Sequence, residues 1–529
     1  MNTYQVRVKV EIVPCGDPPT TEPVKEPDGT FSITITESDA DSIDVCERAL
    51  LQATYPTLRN VLSQHMSDVS KKKALEQMTG GALIPNCHPY QVDGEIGRFE
   101  FITHHIVLDD QMVYNTSREF FPGLRYWERY RTSGFKELAY LYGVTEESYQ
   151  KTSDWLNRTR YQLHDGTPAR TLREQATGEG NRLMQVIDQK AEQILEAHGF
   201  RKDGIFEGNP ATYQESEAAN LPNDRVNAAI AACQAKVAVN CDLTTNPVRY
   251  EAPEQTVNIT IDDVGAKRQK ATRTRQPQDM GDAHSAPHSE PDSEPARKKA
   301  PDKTPNKTTR KYVRTTVIHV EHAGQSYLLT GQGIKYVLSV LVAFLLNNTL
   351  LEYRLQFFTD GYTILHDAIR WCFSWYPNIT IILDWYHLKE KCQVQLSLAM
   401  KGSVMRNEAL AALLPLLWYG LVDQAIAYLN SVDVSQIKDP EAITKLIGYY
   451  ERNRTHIPCY AVRKALGLRN SSQIGERMNG LLVSERQKHN GMSWSVSGSA
   501  ALASLTALAR NNEHARWFHE GTIAFKLAA

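Results

Sequence analysis

Nowhere does this 529-residue chain stay apolar for the ~18 residues that a membrane span requires. Its longest candidate run, Tyr336–Leu346, is too short and reads as a buried helix. Paired cysteines are lacking too: the eight cysteines are scattered without a CxxC, and Cys87 beside His88 has no second ligand pair at zinc spacing. That excludes a zinc ribbon or finger and fits free thiols in a reducing compartment. Net charge is almost absent, -2 from 59 Lys+Arg and 61 Asp+Glu. The whole-chain charge therefore argues neither for nor against nucleic acid, and local distribution has to be read. No leader is recognisable either. The opening "MNTYQVRVKVEIVPCG" alternates apolar and polar residues and reads as a strand, not a signal peptide. The expectation is a soluble, intracellular protein without a membrane partner.

What is present is an uneven chain. Residues 1–130 mix strand patterns (4–13, 30–36, 98–108) with one helix pattern (42–68), an α+β region. Residues 131–240 read as helical. Within them, "SGFKELAYLYGVTEESYQKTSDWLNRTR" places a short helix from Phe135 to Tyr142 before Gly143. Thr145 is a candidate N-cap for a second, longer helix. This is the helix-turn-helix pattern, with an ordinary helical hairpin as the alternative. Lys151, Arg158 and Arg160 on the second helix, and Arg170 and Arg173 in the next, are candidate DNA contacts. Residues 276–306 are rich in Pro, Ser, Asp and Lys and are expected to be a disordered insert.

From 256 onward the order is informative: strands at 256–262, 312–321 and 326–330, a helix at 334–348, a strand at 353–359, a helix at 362–376, a strand at 378–383 and a helix at 387–400. Three antiparallel-looking strands followed by alternating helix and strand describe an α/β mixed sheet. This order resembles an RNase H-like domain, expected over 250–402 and 456–529. The apolar, helical stretch 403–455 reads as an inserted subdomain.

Carboxylates stand at the ends of these patterns. Asp262 closes "TVNITID", Asp360 closes "YRLQFFTDG", and Glu476 opens a helix in "NSSQIGERMNGLLVSERQ". Successive separations are 98 and 116 residues, so only a fold can unite them. Clustered carboxylates repel one another unless a cation neutralises them, and hard oxygen ligands suit Mg²⁺ or Mn²⁺. Two such ions can activate an attacking oxygen and stabilise a leaving oxygen on phosphorus. Singly, each carboxylate has a plainer reading: Asp360-Gly361 as a turn, Asp262-Asp263 as a solvated strand end, and Glu476 as a favourable charge at a helix start. Asp384 and His387, in "IILDWYHLKEKC", stand i, i+3 at a strand–helix junction, either as a cap with a nearby histidine or as a functional pair.

The pieces "ITIDDV", "FFTDGYTILHDAI", "YPNITIILDWYHLKEKC" and "IGERMNGLLVSERQKHNGMSWS" resemble the catalytic domain of bacterial DDE-type insertion-sequence transposases. The likeness is to the branch related to Mutator-like elements, with its Asp-x-x-His motif, and covers about 255–520. Asp263 stands where that family usually has Gly, and the segment before Glu476 lacks one Gly of the family pattern. The resemblance implies an enzyme of DNA transposition and recombination. Asp262, Asp360 and Glu476 would be catalytic and would hold Mg²⁺ (or Mn²⁺), as two ions; Glu485 is the alternative third carboxylate. Asp384 and His387 would support the site. Double-stranded DNA, as terminal inverted repeats and target, would be the partner of a homo-oligomer in the bacterial cytoplasm, near the nucleoid. Arg310, Lys311 and Arg314, with Arg486 and Lys488, are further candidate phosphate contacts. For Trp494 and Trp517, core packing is favoured over base stacking. A catalytically inactive DNA-binding derivative and a structure-specific nuclease of the same fold remain the alternatives.

Overall fold

The computed structural model describes residues 15–20, 22–40, 42–78, 80–107, 113–115, 129–162, 166–209, 212–213, 221–237, 243, 250–269, 312–472, 477–488 and 492–527. The architecture is mixed α/β. The described residues fall into two compact units, one up to 188 together with 504–527, the other from 189 to 503. This division differs from the expected one: it cuts the 131–240 segment and separates the residues after 503 from the unit that holds 256–383.

The unit from 189 to 503 is built on a five-stranded sheet: β1 (Thr256–Lys267), β2 (Tyr312–His322), β3 (Gln325–Gly331), β4 (Arg354–Thr359) and β5 (Ile379–Leu383). Their order is β3-β2-β1-β4-β5. The first three strands are antiparallel, and β4 lies parallel to both β1 and β5. Local chemistry explains the change of direction. Between β2 and β3, Ala323 and Gly324 both have positive φ, 50° and 79°, the two-residue turn that matches strand twist. Parallel strands instead require crossovers. These are α1 (Ile334–Asn347) after β3 and α2 (Thr363–Cys372) between β4 and β5; α3 (Trp385–Ala399) follows β5. Every residue of β4 is buried, as expected of a parallel strand covered on both faces. α1 is buried continuously from Val337 to Leu346, which explains its near-continuous apolar sequence.

The expected helical insertion comprises α4 (Ser403–Trp418), α5 (Val422–Ser431) and α6 (Pro440–Asn453). Leu388, Cys392 and Leu396 of α3 form one buried cluster with Leu413, Leu417, Leu429, Leu446 and Tyr450 from these helices. Each such leucine contributes about 1.5–3 kcal/mol through burial.

One strand boundary is corrected. β1 does not end at Asp262 but continues to Lys267, because β2 pairs with it as far as Tyr312↔Lys267. The strand pattern at 4–13 and the insert at 276–306 lie outside the described residues.

In the other unit, helix Ile43–Gln77 runs well past the expected 42–68. The expected helix-turn-helix geometry is also corrected. The first helix spans Ser133–Thr145 and passes through Gly143, and the second, Tyr149–Thr159, is the shorter of the two. Its cap is Ser148, which accepts from the Lys151 N–H at 3.1 Å, while Thr145 donates its hydroxyl back to Leu141 O at 2.8 Å.

Candidate active site

Register brings the first two predicted carboxylates together. β4 pairs with β1 up to Phe358↔Thr260, so continuing that register places Asp360 beside Asp262. Both line one small cleft with Thr260, Thr359, His387, Ser472 and Asn479. Its free volume is about 10 Å³, the room of one water or a small cation.

Each carboxylate is held. Asp262 accepts from the Asn479 side-chain amide at 2.6 Å and from the Asp263 N–H at 2.7 Å. Burial, reinforced by the negative Asp360, raises its pKa above the usual carboxylate value; the Asp263 N–H and His387 oppose this. Asp360 accepts from the Tyr362 N–H at 2.9 Å, and its own carbonyl accepts from the Tyr449 hydroxyl of α6 at 3.0 Å. Gly361 next to it has φ 82°, and a Cβ there would lie 2.6 Å from the Tyr449 oxygen, so only glycine fits this turn. Thr359 is tied to His366 Nε2 at 2.6 Å, and burial pushes the His366 pKa down to about 4, leaving that ring neutral at pH 7.

Asp384 is a helix cap. It is fully buried, and one carboxylate oxygen accepts the Tyr386 and His387 N–H groups at 2.6 and 3.1 Å. The other accepts from the Ser472 N–H. Burial alone would raise its pKa, but the His387 ring and Ser472 outweigh it and hold the carboxyl below the usual value. His387 Nδ1 stands 3.6 Å from Asp384, and its ring reaches the cleft.

Asp262 and Asp360 give two oxygen ligands of the hard type that Mg²⁺ or Mn²⁺ takes, beside a space of the right size, so the residues present fit such an ion. Among the described residues no group of three His, Cys, Asp or Glu has metal-holding geometry. Glu476 lies outside the described residues. Glu485 is exposed and does not line the cleft. It sits in the π-helical stretch Gly480–Lys488.

The predicted basic contacts divide sharply. Lys151, Arg158, Arg170, Arg173 and Lys488 are exposed. Lys151 pairs with Glu147 and Arg170 with Glu174, both one helical turn away. Arg314 is 64 % exposed at its side chain and lies 3.9 Å from Asp263. Arg310 and Lys311 lie outside the described residues. Two assignments are corrected. Arg160 is 1 % exposed, and its guanidinium donates to Leu156 O, Gly94 O, Asn157 and Thr167, locking the helix end to a neighbouring strand. Arg486 is 3 % exposed, packed against the Trp494 ring with a contact to the Met492 sulfur. Neither is available to DNA phosphates. Trp494 and Trp517 are core residues, as favoured.

Sequence reasoning missed Asn479, Ser472 and Tyr449. For Asn479 a signal existed: it follows Glu476 by three residues, the spacing of one helix face. Ser472 sits in a loop and Tyr449 in the inserted helices, where pattern carries no information about the sheet end. Comparison with known proteins adds no relative: no family model, curated protein or solved structure matches the chain.

Proposed function

We propose that this chain is a metal-dependent DNA transposase with an RNase H-like catalytic domain. One observation carries the reading: Asp262 and Asp360, 98 residues apart, line one cleft where the end of β4 meets the middle of its parallel neighbour β1. The strand order, with three antiparallel strands and then two parallel ones reached through helices, supports the fold assignment. Terminal inverted repeats and target DNA are its proposed substrates, and a homo-oligomer would pair the two ends.

Asp262 and Asp360 would hold Mg²⁺ or Mn²⁺, with Glu476 as the proposed third ligand. Such an ion, when bound, would supply charge neutralisation at the attacked phosphate and activation of the attacking oxygen, a water or a 3′-hydroxyl. The chain supplies positioning. Asn479 fixes the rotamer of Asp262. The Tyr449 hydroxyl and the Gly361 turn fix the backbone at Asp360. His387 lines the cleft, where a phosphate oxygen or the leaving oxygen would come. Exposed Arg314 and Lys488 are suited to phosphates along the duplex, an interaction that weakens steeply with salt.

The decisive assay combines DNA carrying the element's terminal repeats, target DNA and Mg²⁺. Wild type is expected to cut and join. D360N is expected to lose both by on the order of 10³-fold while still binding DNA. Cutting without joining would select the nuclease, and binding alone the inactive derivative. Cleavage by D360N at the wild-type rate would refute the metal site.

A further inference from the structure

We propose that Asp384 is a positioning residue of this cleft and not a metal ligand. Its carboxylate ties two of the cleft's walls together, and its backbone N–H joins a third. The catalytic consequence rests on the transposase reading; the clamp itself rests on geometry alone.

The first wall is the end of β4. The Asp384 N–H donates to Thr359 O at 2.9 Å, continuing the sheet one step beyond β5 and fixing the residue that precedes Asp360. The second wall is the first turn of α3. One Asp384 oxygen receives its two free N–H groups, and the second of these belongs to His387, whose ring enters the cleft. The third wall is the stretch 470–472. The remaining oxygen takes the Ser472 N–H, and the adjacent Trp385 N–H donates to Asn470 O at 3.2 Å. Ser472 itself lines the cleft. Asp384 is fully buried and is not among the lining residues, so it has no face to offer an ion. Each oxygen already accepts from an N–H donor, one from two and the other from one. A cation reaching Asp384 would compete with the helix cap or the loop contact.

The two functions of the carboxylate are separable by chemistry. Serine caps helices well but is one atom shorter and has one oxygen, so Asp384→Ser keeps the cap and releases the loop. Asparagine also caps, but its amide N–H₂ would face the Ser472 N–H, donor against donor. Both variants therefore loosen the Ser472 wall while His387 stays on an intact helix.

The test uses full-length D384S and D384N, checked for wild-type circular dichroism. Amide exchange across 470–472 is expected to speed up by about tenfold or more in both. Cleavage kcat is expected to fall about 10–100-fold, with KM for DNA nearly unchanged, as for other residues that orient a metal site from behind. Paired with H387A, D384N is expected to lose less than the product of the two single effects. D384C is expected to gain nothing from Mn²⁺ in place of Mg²⁺, whereas a true ligand changed to cysteine, D360C, is expected to recover. Unchanged exchange at 470–472 in both variants, or Mn²⁺ rescue of D384C, would overturn the proposal. Were D360N fully active, the transposase reading would fail, and the exchange result would still judge the clamp.

Discussion

Two aspartates carried by one sheet have opposite electrostatics. Asp262, on β1, and Asp384, just after β5, are both largely removed from water. Burial works against the Asp384 charge, but the His387 ring and Ser472 outweigh it, and its pKa falls. Asp262 has one amide and one N–H, faces a second carboxylate across a small space, and its pKa rises. A buried carboxylate saturated with donors is part of the scaffold. One left short of compensation next to another is poised to take a cation. The difference lies in the partners, which come from segments far away in sequence.

The largest expected effect is on activity. Asp262→Asn should abolish cleavage as completely as D360N, by on the order of 10³-fold, whereas Asp384→Asn should leave a measurable rate. Equal losses at 262 and 384 would erase the distinction between ligand and scaffold.

Stability should separate them by sign. Folding of the metal-free protein favours neutral Asp262. Its contribution is therefore fully present below the ordinary aspartate pKa and is lost as pH rises through the raised value. Asp384 behaves oppositely: its contribution is present above the ordinary value and is lost as pH falls through the lowered one. At pH 7 without metal, Asp384→Ala should cost about 2–4 kcal/mol, through a lost cap and stranded donors. Asp262→Asn should instead stabilise by on the order of 1 kcal/mol, read as a rise of a few degrees in Tm. Mg²⁺ should raise the Tm of wild type, by about 2.7 kcal/mol of stability at a hundredfold excess over Kd, and leave Asp262→Asn nearly unmoved. Thermal scans at pH 5 and 7, with and without Mg²⁺, check all of this. A destabilised Asp262→Asn in metal-free buffer would contradict the electrostatic assignment.

The turn beside Asp360 gives an intermediate effect. Gly361→Ala meets both positive φ and the Tyr449 oxygen, so a loss of about 1–3 kcal/mol is expected, with cleavage reduced because the Asp360 backbone must shift. Chemical denaturation and the cleavage rate measure the two parts separately.

Much of this sheet was legible because its signals are local. β2, β3, β4 and β5 each appear as an apolar run closed by turn residues, and the alternation of helix and strand after Gly331 dictates crossovers. The two aspartates themselves were legible, since each follows an apolar strand-like run, although β1 continues past Asp262. What sequence could not reveal was which polar residues fold inward. Arg160 and Arg486 read as surface cations because charge usually is surface; each is buried by carbonyls, a thioether or an indole that no spacing rule connects to it. Asp384 was ambiguous for the same reason. As a cap it was legible from its place before a helix, but the Ser472 N–H that completes it lies 88 residues downstream. The end of β1 was misjudged because two consecutive aspartates look like solvent; alternation lets one face the cleft and its neighbour the opposite side.

That alternation supplies the smallest expected effect and the finest control. Asp263 accepts from the Thr316 hydroxyl at 2.5 Å and lies 3.9 Å from exposed Arg314, on the far side of the strand from Asn479 and the cleft. Exposed ion pairs of this kind contribute little. Asp263→Asn keeps an acceptor for Thr316 and removes only a weak repulsion on Asp262. Stability should change by less than about 0.5 kcal/mol and cleavage by less than about twofold. A shift of one residue along β1 would exchange the two faces completely. Near-normal cleavage by Asp263→Asn beside a dead Asp262→Asn would fix the register in solution, and the reverse result would place the wrong aspartate in the cleft.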